Sequence, residues 1–596
     1  SLKLSAERRN LSNQKKSDLV DDLFKSGVGF EAMDLSTMLE YAEADIRTTA
    51  ELYLQQQSDF SCEENKSLLP VIDHMGDMLL FLVEIERNGA YIDLDVLKRV
   101  ETDFLNEKIE LTNRLNEIVE HIMGDTPINL NSGDDMTKVI YSRRVRDKHV
   151  HKLTFNIGTN EAGKALRPPR MTPSQFNSAV RATTDVVYRT DAVCCPDCAG
   201  EGSIQKFKTV TKIKLGKKYR VTGEPYKNRT KCKVCKGVGA IYQSNGKVAG
   251  LKMIPESAFD ASMGGFKTDK ETIKRMIATA ESKNKTTAVE FLTKISRLNA
   301  ITTYLDSFVA GIQKGTRSDG ILHANFNQCV ASTGRLSSSG PNLQNQPKRG
   351  FPVRSAFVSR FDDGILVEAD YSGLEFRTCV ELSRDAQGLA DILEGKDIHR
   401  QTASIVHQKD PSEVTKEERQ GAKAQTFLPL FGGTGAGMPE HVKAYFHKFY
   451  EIYQGIHGWH DQLMVGTLKN GIVQTPSGRQ YFWPNVVRTR NGRVSNSTQI
   501  LNYPVQGFAA DTVQLACIRA HRLFKQHKLK SKLILTVHDS IVVDCTKEEF
   551  EQVKSILHTA MVDVHEEIEA RFNYKCVVPF DIEISIGSNW LDQTEI

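Results

Sequence analysis

Two aspartates stand where their neighbours could make them metal ligands. Asp370 closes a run that begins with the apolar Ile365, Leu366 and Val367 and gives way to Tyr371, Ser372 and Gly373, so it falls at the C-terminal end of a buried strand, with a helix expected from Ser372. Asp539 follows His538 between two apolar runs, Leu533 to Val537 and Ile541 to Val543, which reads as a hairpin with a carboxylate at its bend. Alone, either is an ordinary turn or cap residue. Together they could bridge two divalent ions about 3.5–4 Å apart, an arrangement that activates an attacking oxygen and stabilises a leaving one.

Between them Arg419, Lys423, Phe427 and Phe431 recur every four residues behind Lys416, Glu417 and Glu418, and so share one slowly drifting helical face. Two cations and two rings suit a triphosphate and a base, although an amphipathic helix of no special function has the same pattern. A third constellation is the repeated pattern C-x-x-C-x-G-x-G, in Cys195, Cys198, Gly200, Gly202 and again in Cys232, Cys235, Gly237, Gly239. The glycines let backbone amides fold back toward thiolates, and four thiolates suit a structural zinc ion; Cys194 is the less suited neighbour.

These groups need elements to hold them. Helical spacing runs over residues 31–57 behind a start at Asp34 to Ser36, through an apolar stretch from Met75 to Ile85 that stops at Asn88 and Gly89, and over residues 94–123. A segment from 142 to 250, with Pro168, Pro169 and many glycines, breaks that pattern. Within it Lys206, Lys208, Lys212 and Lys214 alternate with Phe207, Thr209, Thr211, Ile213 and Leu215 as a two-faced strand before Gly216. Helical texture returns at 269–315, a Gly-, Asn- and Ser-rich stretch occupies Ser332 to Gly350, and strands alternate with helices from 351 to a last strand at Asp581 to Ile586. The fold class is α/β, as a multidomain α+β chain.

At 596 residues the chain is too long for one core. It is 40% hydrophobic and 26% charged, with no apolar run of membrane-spanning length and no secretory leader, so it is expected in the cytoplasm with no membrane partner. Eleven cysteines, four of them in two pairs, read as a metal-binding pattern in a reducing compartment. Residues 142–250 hold 23 Lys/Arg against 7 Asp/Glu, an excess of 16, which leaves the rest of a chain of net charge +4 at −12. Such segregation is the footprint of a segment that handles polyanions.

The residues Asp370, Tyr371 and Ser372, with Leu374, Glu375 and Arg377, resemble the first palm motif of the family A (Pol I-like) DNA polymerases, and Val537, His538 and Asp539 resemble the last. The helix from Arg419 to Gly432 is similar to that family's fingers helix. Further matches follow in order: Glu86, Asn88, Gly89 and Asp93, then Asn129, Asn131 and Ser132 in the thumb; Thr333 to Ser338 with Pro341 to Asn345 along the primer-template duplex; Asp397 and His399; Asn502, Pro504, Gln506 and Gly507; and Gly587, Asn589 and Trp590.

The resemblance implies a right-hand polymerase fold with palm, fingers and thumb, laid out as the C-terminal part of a 3′–5′ exonuclease domain (1–60), first part of the thumb (61–141), a basic four-cysteine insertion resembling a zinc ribbon (142–250), thumb return and approach to the palm (251–350), palm (351–383), fingers (384–500) and palm again (501–596). It implies template-directed addition of deoxynucleoside triphosphates to a primer 3′-OH, in bacteriophage replication and therefore a host cytoplasm. Asp370 and Asp539, with the Tyr371 carbonyl, would hold two Mg2+ ions. Arg419, Lys423 and His399 would meet the triphosphate, Lys423 protonating the leaving pyrophosphate; Phe427 and Phe431 would meet the base and sugar, and Glu375 would exclude a 2′-OH. Arg335, Asn342, Gln344, Asn345, Arg377, Gln506 and His538 would face DNA.

Some residues depart from the family pattern. Ser540 stands where many relatives carry a carboxylate, Phe431 replaces a tyrosine, Phe427 implies poor use of dideoxynucleotides, and Pro429 should end or bend the fingers helix early. Tyr41 and Asp45 resemble the last motif of the exonuclease, whose other carboxylates would precede Ser1, so proofreading by this chain alone is not expected. The front half is then either absent from a partial or processed sequence or a separate polypeptide, joined by association or by splicing at Ser1. The basic insertion would grip DNA directly or recruit a processivity or helicase partner. An inactive nucleic-acid-binding scaffold would have lost the two aspartates, and a single-subunit RNA polymerase fits Glu375 and the Gly334-Arg335 segment less well.

Overall fold

The computed structural model describes residues 9, 20, 22–23, 25–63, 65–157, 166, 171–214, 217–255, 259–260, 265–433, 440–489 and 492–596. Ser1, Pro168, Pro169, Leu215 and Gly216 lie outside the described residues. The chain divides into two compact units, one comprising the chain up to Leu97 and from Gly311 onward, the other Lys98–Ala310. Among the described residues no helix is long and apolar enough to cross a membrane.

The first unit is built on a five-stranded antiparallel sheet in the order Lys532–Val537, Ser540–Cys545, Ile365–Tyr371, Ile582–Gly587, Thr594–Glu595. The two strands of the hairpin are buried almost throughout, which is why their sequence is continuously apolar rather than alternating. Helix Ser497–Gln526, whose buried residues include Phe508, Val513, Leu515 and Ile518, packs against helices Leu69–Asn88 and Phe550–Val562. Leu69–Asn88 starts with Pro70 in its first turn, buries Val71, His74, Met78, Phe81, Leu82 and Ile85, and stops where Gly89 takes φ +58°, its N–H bonded to the Ile85 carbonyl. Helix Leu35–Ser61, capped by Asp34 through the Thr37 N–H at 2.9 Å, leaves Leu39, Ile46 and Leu54 exposed. The helix expected from Ser372 begins at Leu374 instead, because Gly373 first takes the left-handed conformation.

The second unit has a helical core joining Leu115, Ile118 and Val119 of helix Leu94–Met123 with Val139 and Ile140 of Gly133–Tyr141, Met276 of Lys270–Ser282, and Phe291 and Leu292 of Thr286–Thr303. The basic segment is not without helix. Lys148–Phe155 is capped by Asp147, and Pro173–Thr183 starts with a Thr172/Gln175 capping box; Phe155 and Val180 enter the same core. Among the described residues from 188 to 248 the regular elements are strands. Tyr188–Cys194 pairs with Ala240–Val248, Ser203–Ile204 with Thr230–Lys231, and Phe207–Lys214 with Lys217–Pro225.

Candidate active site and metal centre

The central strand Ile365–Tyr371 carries Asp370 between Ser540 on one neighbouring strand and Glu583 on the other. The hairpin turns at His538, which takes φ +57°, and Asp539; the Asp539 carbonyl accepts a hydrogen bond from the Tyr371 N–H at 3.3 Å. The two aspartates come together as the strand-end and bend positions required. Solvent reaches the Asp370 carboxylate, yet crowding by protein atoms, then Asp539 and Glu368, raise its pKa well above the usual carboxylate range. Burial also raises Asp539, against the lowering influence of Arg335. Two carboxylates that cannot both ionise comfortably form a set of hard oxygen donors short of positive charge, which is what a divalent magnesium site requires.

Glu368 is a residue that motif reading missed. As the i−2 neighbour of Asp370 it projects from the same face of the strand. Its two oxygens accept from the Ser540 hydroxyl at 2.9 Å and the Trp590 indole N–H at 3.1 Å. The hydroxyl at position 540 thus hydrogen-bonds an acid one strand away. The strand period gave its facing; the cross-strand partners are beyond what sequence shows. Tyr371 is buried, and its hydroxyl donates to the Met561 carbonyl at 2.8 Å.

A second group lies on helix Lys416–Leu430, opened by a Thr415/Glu418 capping box. Asp397 caps helix Ile398–His407 through the His399 and Arg400 amides and also forms an ion pair with the Arg419 guanidinium. Burial opposes ionisation of Asp397, but Arg419 and the amides outweigh it and its pKa is lowered. His399 is held neutral: burial first, then the nearby Lys423 ammonium, lower its pKa to about 4. Its Nδ1 lies 3.1 Å from the Thr426 hydroxyl, and its ring meets that of Phe427 edge-on at 5.3 Å. Lys423 is half-buried and has no ion-pair partner among the described residues. The helix ends at Leu430, directly after Pro429, so Phe431 sits just past the last helical residue; its ring still stacks on Phe427 at 6.2 Å and 14°. Pro429 is the last residue but one of the helix.

Arg335 follows a segment fixed from behind: the Thr333 carbonyl accepts from the Tyr481 hydroxyl at 3.0 Å, the Gly334 carbonyl from the Gln514 amide at 3.0 Å. Gly334 has φ +90°, and a Cβ there would lie 2.7 Å from the Arg479 guanidinium carbon. Arg335 reaches across to form an ion pair with Glu375, whose pKa nevertheless rises because burial outweighs the arginine. Of the other expected DNA contacts, Asn342, Asn345 and His538 are exposed and Gln506 is half-buried. Two are engaged inward. Gln344 is buried with its amide donating to the Thr536 carbonyl at 3.3 Å, and Arg377 donates to the carbonyls of Ser372 (2.8 Å) and Pro579 (2.6 Å). Tyr41 and Asp45 lie one turn apart on helix Leu35–Ser61.

In the second unit Cys195, Cys198, Cys232 and Cys235 are all buried, with their sulfurs within 4.8 Å of one another. The two halves mirror each other: the Gly202 N–H donates to Cys198 Sγ at 3.3 Å and the Gly239 N–H to Cys235 Sγ at 3.2 Å, while the Cys195 and Cys232 amides each donate to the opposite glycine carbonyl at 2.9 Å. The thiols divide unequally: burial raises the pKa of Cys198 despite the Gly202 amide, whereas at Cys235 burial is outweighed by the amides of Gly239 and Gly237, which lower the pKa. A buried group of thiols supplied with amide donors fits a tetrahedral thiophilic ion. Cys194 is exposed and outside the group. Among the described residues this is the only cluster of three or more His, Cys, Asp or Glu that could hold one ion.

The family described as DNA polymerase family A matches residues 247–592. DNA polymerase I of Chloroflexus aurantiacus is 30% identical over 313 residues, covering 51% of this chain and 32% of that protein. The thermostable DNA polymerase I of Thermus thermophilus is 33% identical over 305 residues, 49% of this chain and 35% of the relative. DNA polymerase I of Caldicellulosiruptor bescii is 32% identical over 339 residues, 55% of this chain and 38% of the relative. The matched part spans about a third of each relative's length. A solved structure, the POL domain of Pol1 from M. smegmatis in complex with DNA primer-template and dNTP, aligns with TM-score 0.62 at 20% identity, covering 93% of this chain and 76% of that one, a likeness of fold. With more than half of its length matched, this chain belongs to DNA polymerase family A.

Proposed function

We propose that the chain is a template-directed DNA polymerase extending a primer 3′-OH with deoxynucleoside triphosphates by two-metal-ion phosphoryl transfer, its palm, fingers and thumb divided as the motifs suggest. The observation that carries the reading is the convergence of Asp370 and Asp539 at one end of the sheet, with both pKa values raised. Two magnesium ions, when bound, supply Lewis acidity toward the attacking and leaving oxygens. Asp370, Asp539 and the Tyr371 carbonyl would hold them. Arg419 and Lys423 orient the triphosphate, and Lys423 gives the leaving pyrophosphate its proton. His399, neutral, donates a hydrogen bond to a phosphate oxygen.

Phe427 and Phe431 stack against base and sugar, and Phe427 disfavours dideoxynucleotides. Glu375, steadied by Arg335, fills the volume of a 2′-OH. Arg335, Asn342, Asn345, Gln506 and His538 contact primer and template; Gln344 and Arg377 support the strands those contacts stand on. Cys195, Cys198, Cys232 and Cys235 would hold a zinc ion, which would lock the basic module. Phage replication in a host cytoplasm is the setting the motif resemblance favours, and the exposed apolar side chains on helix Leu35–Ser61 suit a covering exonuclease half.

Primer extension by the purified chain with magnesium and deoxynucleotides, beside Asp370→Ala and Asp539→Ala, tests this. Extension lost in both variants is expected. DNA binding without extension by the intact chain would overturn the reading for this chain by itself.

A further inference from the structure

We propose that the hairpin formed by Phe207–Lys214 and Lys217–Pro225 is a duplex-DNA-binding ribbon that lies in a groove and meets phosphates of both strands. The inference deepens the polymerase reading and rests on it for the choice of nucleic acid. The strands are 8 and 9 residues long, about 25–30 Å at roughly 3.3 Å per residue, and all but Val221 and Gly223 are exposed. A two-stranded hairpin with neither face covered is marginal in water. This one bears Lys208, Lys212, Lys214, Lys217, Lys218 and Arg220 with no acid anywhere between 207 and 223, and none of the six is paired with a carboxylate among the described residues.

The pairing register makes the distribution explicit. Lys214 faces Lys217, and Lys212 faces Tyr219, on one side; Ile213 faces Lys218 and Thr211 faces Arg220 on the other. Like charges directly opposite cost a cross-strand pair roughly 0.2–1 kcal/mol, a cost that a polyanion removes. Cations on both faces suit a groove flanked by two phosphate backbones, and a major groove about 12 Å wide admits a two-stranded ribbon. A protein partner would cover one face or one edge, leaving the other lysines unanswered.

The base of the ribbon is anchored where rigidity is available. Directly below it Ser203–Ile204 pairs with Thr230–Lys231, the Gln205 amide donates to the Tyr226 carbonyl at 2.8 Å, and the Tyr226 N–H to the Lys206 carbonyl at 2.9 Å. The buried cysteine cluster lies immediately outside this collar in sequence on both sides, so one metal ion would fix both legs of the ribbon.

The test is binding of the full chain to primed duplex DNA and to single-stranded DNA over a salt series, without nucleotide, for the parent and for Lys212→Gln, Lys214→Gln, Lys217→Gln and Lys218→Gln combined. The substitutions remove only exposed, mutually repelling charges, and retained zinc content checks the fold. Duplex affinity should fall on the order of tenfold or more at moderate salt, and the slope of log affinity against log salt should flatten by about 3–4. The four lysines changed to arginine should restore both. Unchanged duplex affinity and slope would overturn the proposal, as would a loss confined to single-stranded DNA or to a protein partner. Single-nucleotide insertion at saturating DNA reports separately on the polymerase reading.

Discussion

The carboxylate site and the cysteine module hold their chemistry by opposite means. Asp370 and Asp539 stand at one end of a sheet whose strands carry Leu366, Val367, Ala369, Ile541, Val542 and Val543 almost wholly out of solvent. Packing determines where the carboxylates are, and their mutual repulsion is imposed on them by it. Around the cysteines the buried cluster is little more than the four thiols with Ile204 and Ile241 against them, and the adjoining ribbon has no core at all. There, an ion would have to do what apolar burial does in the first unit. The first site should therefore lose function without losing structure when its ligands are removed, and the second should lose structure first.

The largest effect expected is on chemistry. Asp370→Ala should lower single-turnover extension by about a thousandfold or more, corresponding to several kcal/mol of transition-state stabilisation at 1.36 kcal/mol per decade. Metal-free, the same variant should melt at or above the parent's temperature near neutral pH, because a carboxyl whose ionisation burial and Asp539 oppose in the folded chain has gone. A variant that loses both activity and thermal stability would break the comparison.

Next in size is loss of the ion from the module. Cys195→Ser with Cys232→Ser should abolish one equivalent of bound zinc, open residues 188–248 to protease, and weaken duplex binding on the order of tenfold, while single-nucleotide insertion at saturating DNA stays within a few-fold. Retention of protease resistance without zinc would show that strand pairing alone holds the module.

Glu368 sharpens the comparison inside the first site. Glu368→Gln keeps the volume and removes a charge that acts on both aspartates, so Mn2+ binding followed by calorimetry should weaken several-fold, on the order of 1 kcal/mol, and the magnesium needed for half-maximal extension should rise in step. Adding Ser540→Glu should recover part of the loss by returning an acid to the hairpin. Unaltered Mn2+ affinity in Glu368→Gln would reduce Glu368 to a structural link between Ser540 and Trp590.

How much of this was legible in the sequence follows the same division. Asp370 and Asp539 were readable because a strand end and a hairpin bend are local events, announced by apolar runs that stop at polar residues. The early end after Pro429 is local too, and so is the C-x-x-C-x-G-x-G repeat, whose glycines take the positive φ angles their role needs. Glu368 was not readable, since its partners lie 172 and 222 residues away and only the cross-strand register brings them together. Gln344 resembles a DNA contact in sequence, and the hydrogen bond from its amide to a strand carbonyl 192 residues away was not readable there. The helices Lys148–Phe155 and Pro173–Thr183 hid within a basic composition because a few residues, His151, Phe155, Val180 and Thr183, suffice to bury so short a face.

The smallest effect is a balance of titrations in the metal-free chain. Burial lowers His74, His399 and His460 to about 4 in the first unit, so each folded histidine binds a proton only far below the usual 6.5 of the unfolded chain. The stability tied to them is complete above about pH 6.5 and is lost as pH falls toward 4. The Asp370/Asp539 pair has the opposite sign: with folded pKa values above the unfolded ones, it favours the folded state increasingly as pH drops below neutrality. All three tryptophans, Trp459, Trp483 and Trp590, belong to the first unit, so their emission reports its melting alone. The parent should therefore lose little melting temperature between pH 7 and 5, whereas Asp370→Ala, without the compensating carboxylate, should lose several degrees more over that interval. Parallel curves for the two proteins would mean that the carboxylates do not share a proton in the folded chain, and that the site's charge is already neutralised by its own arginines.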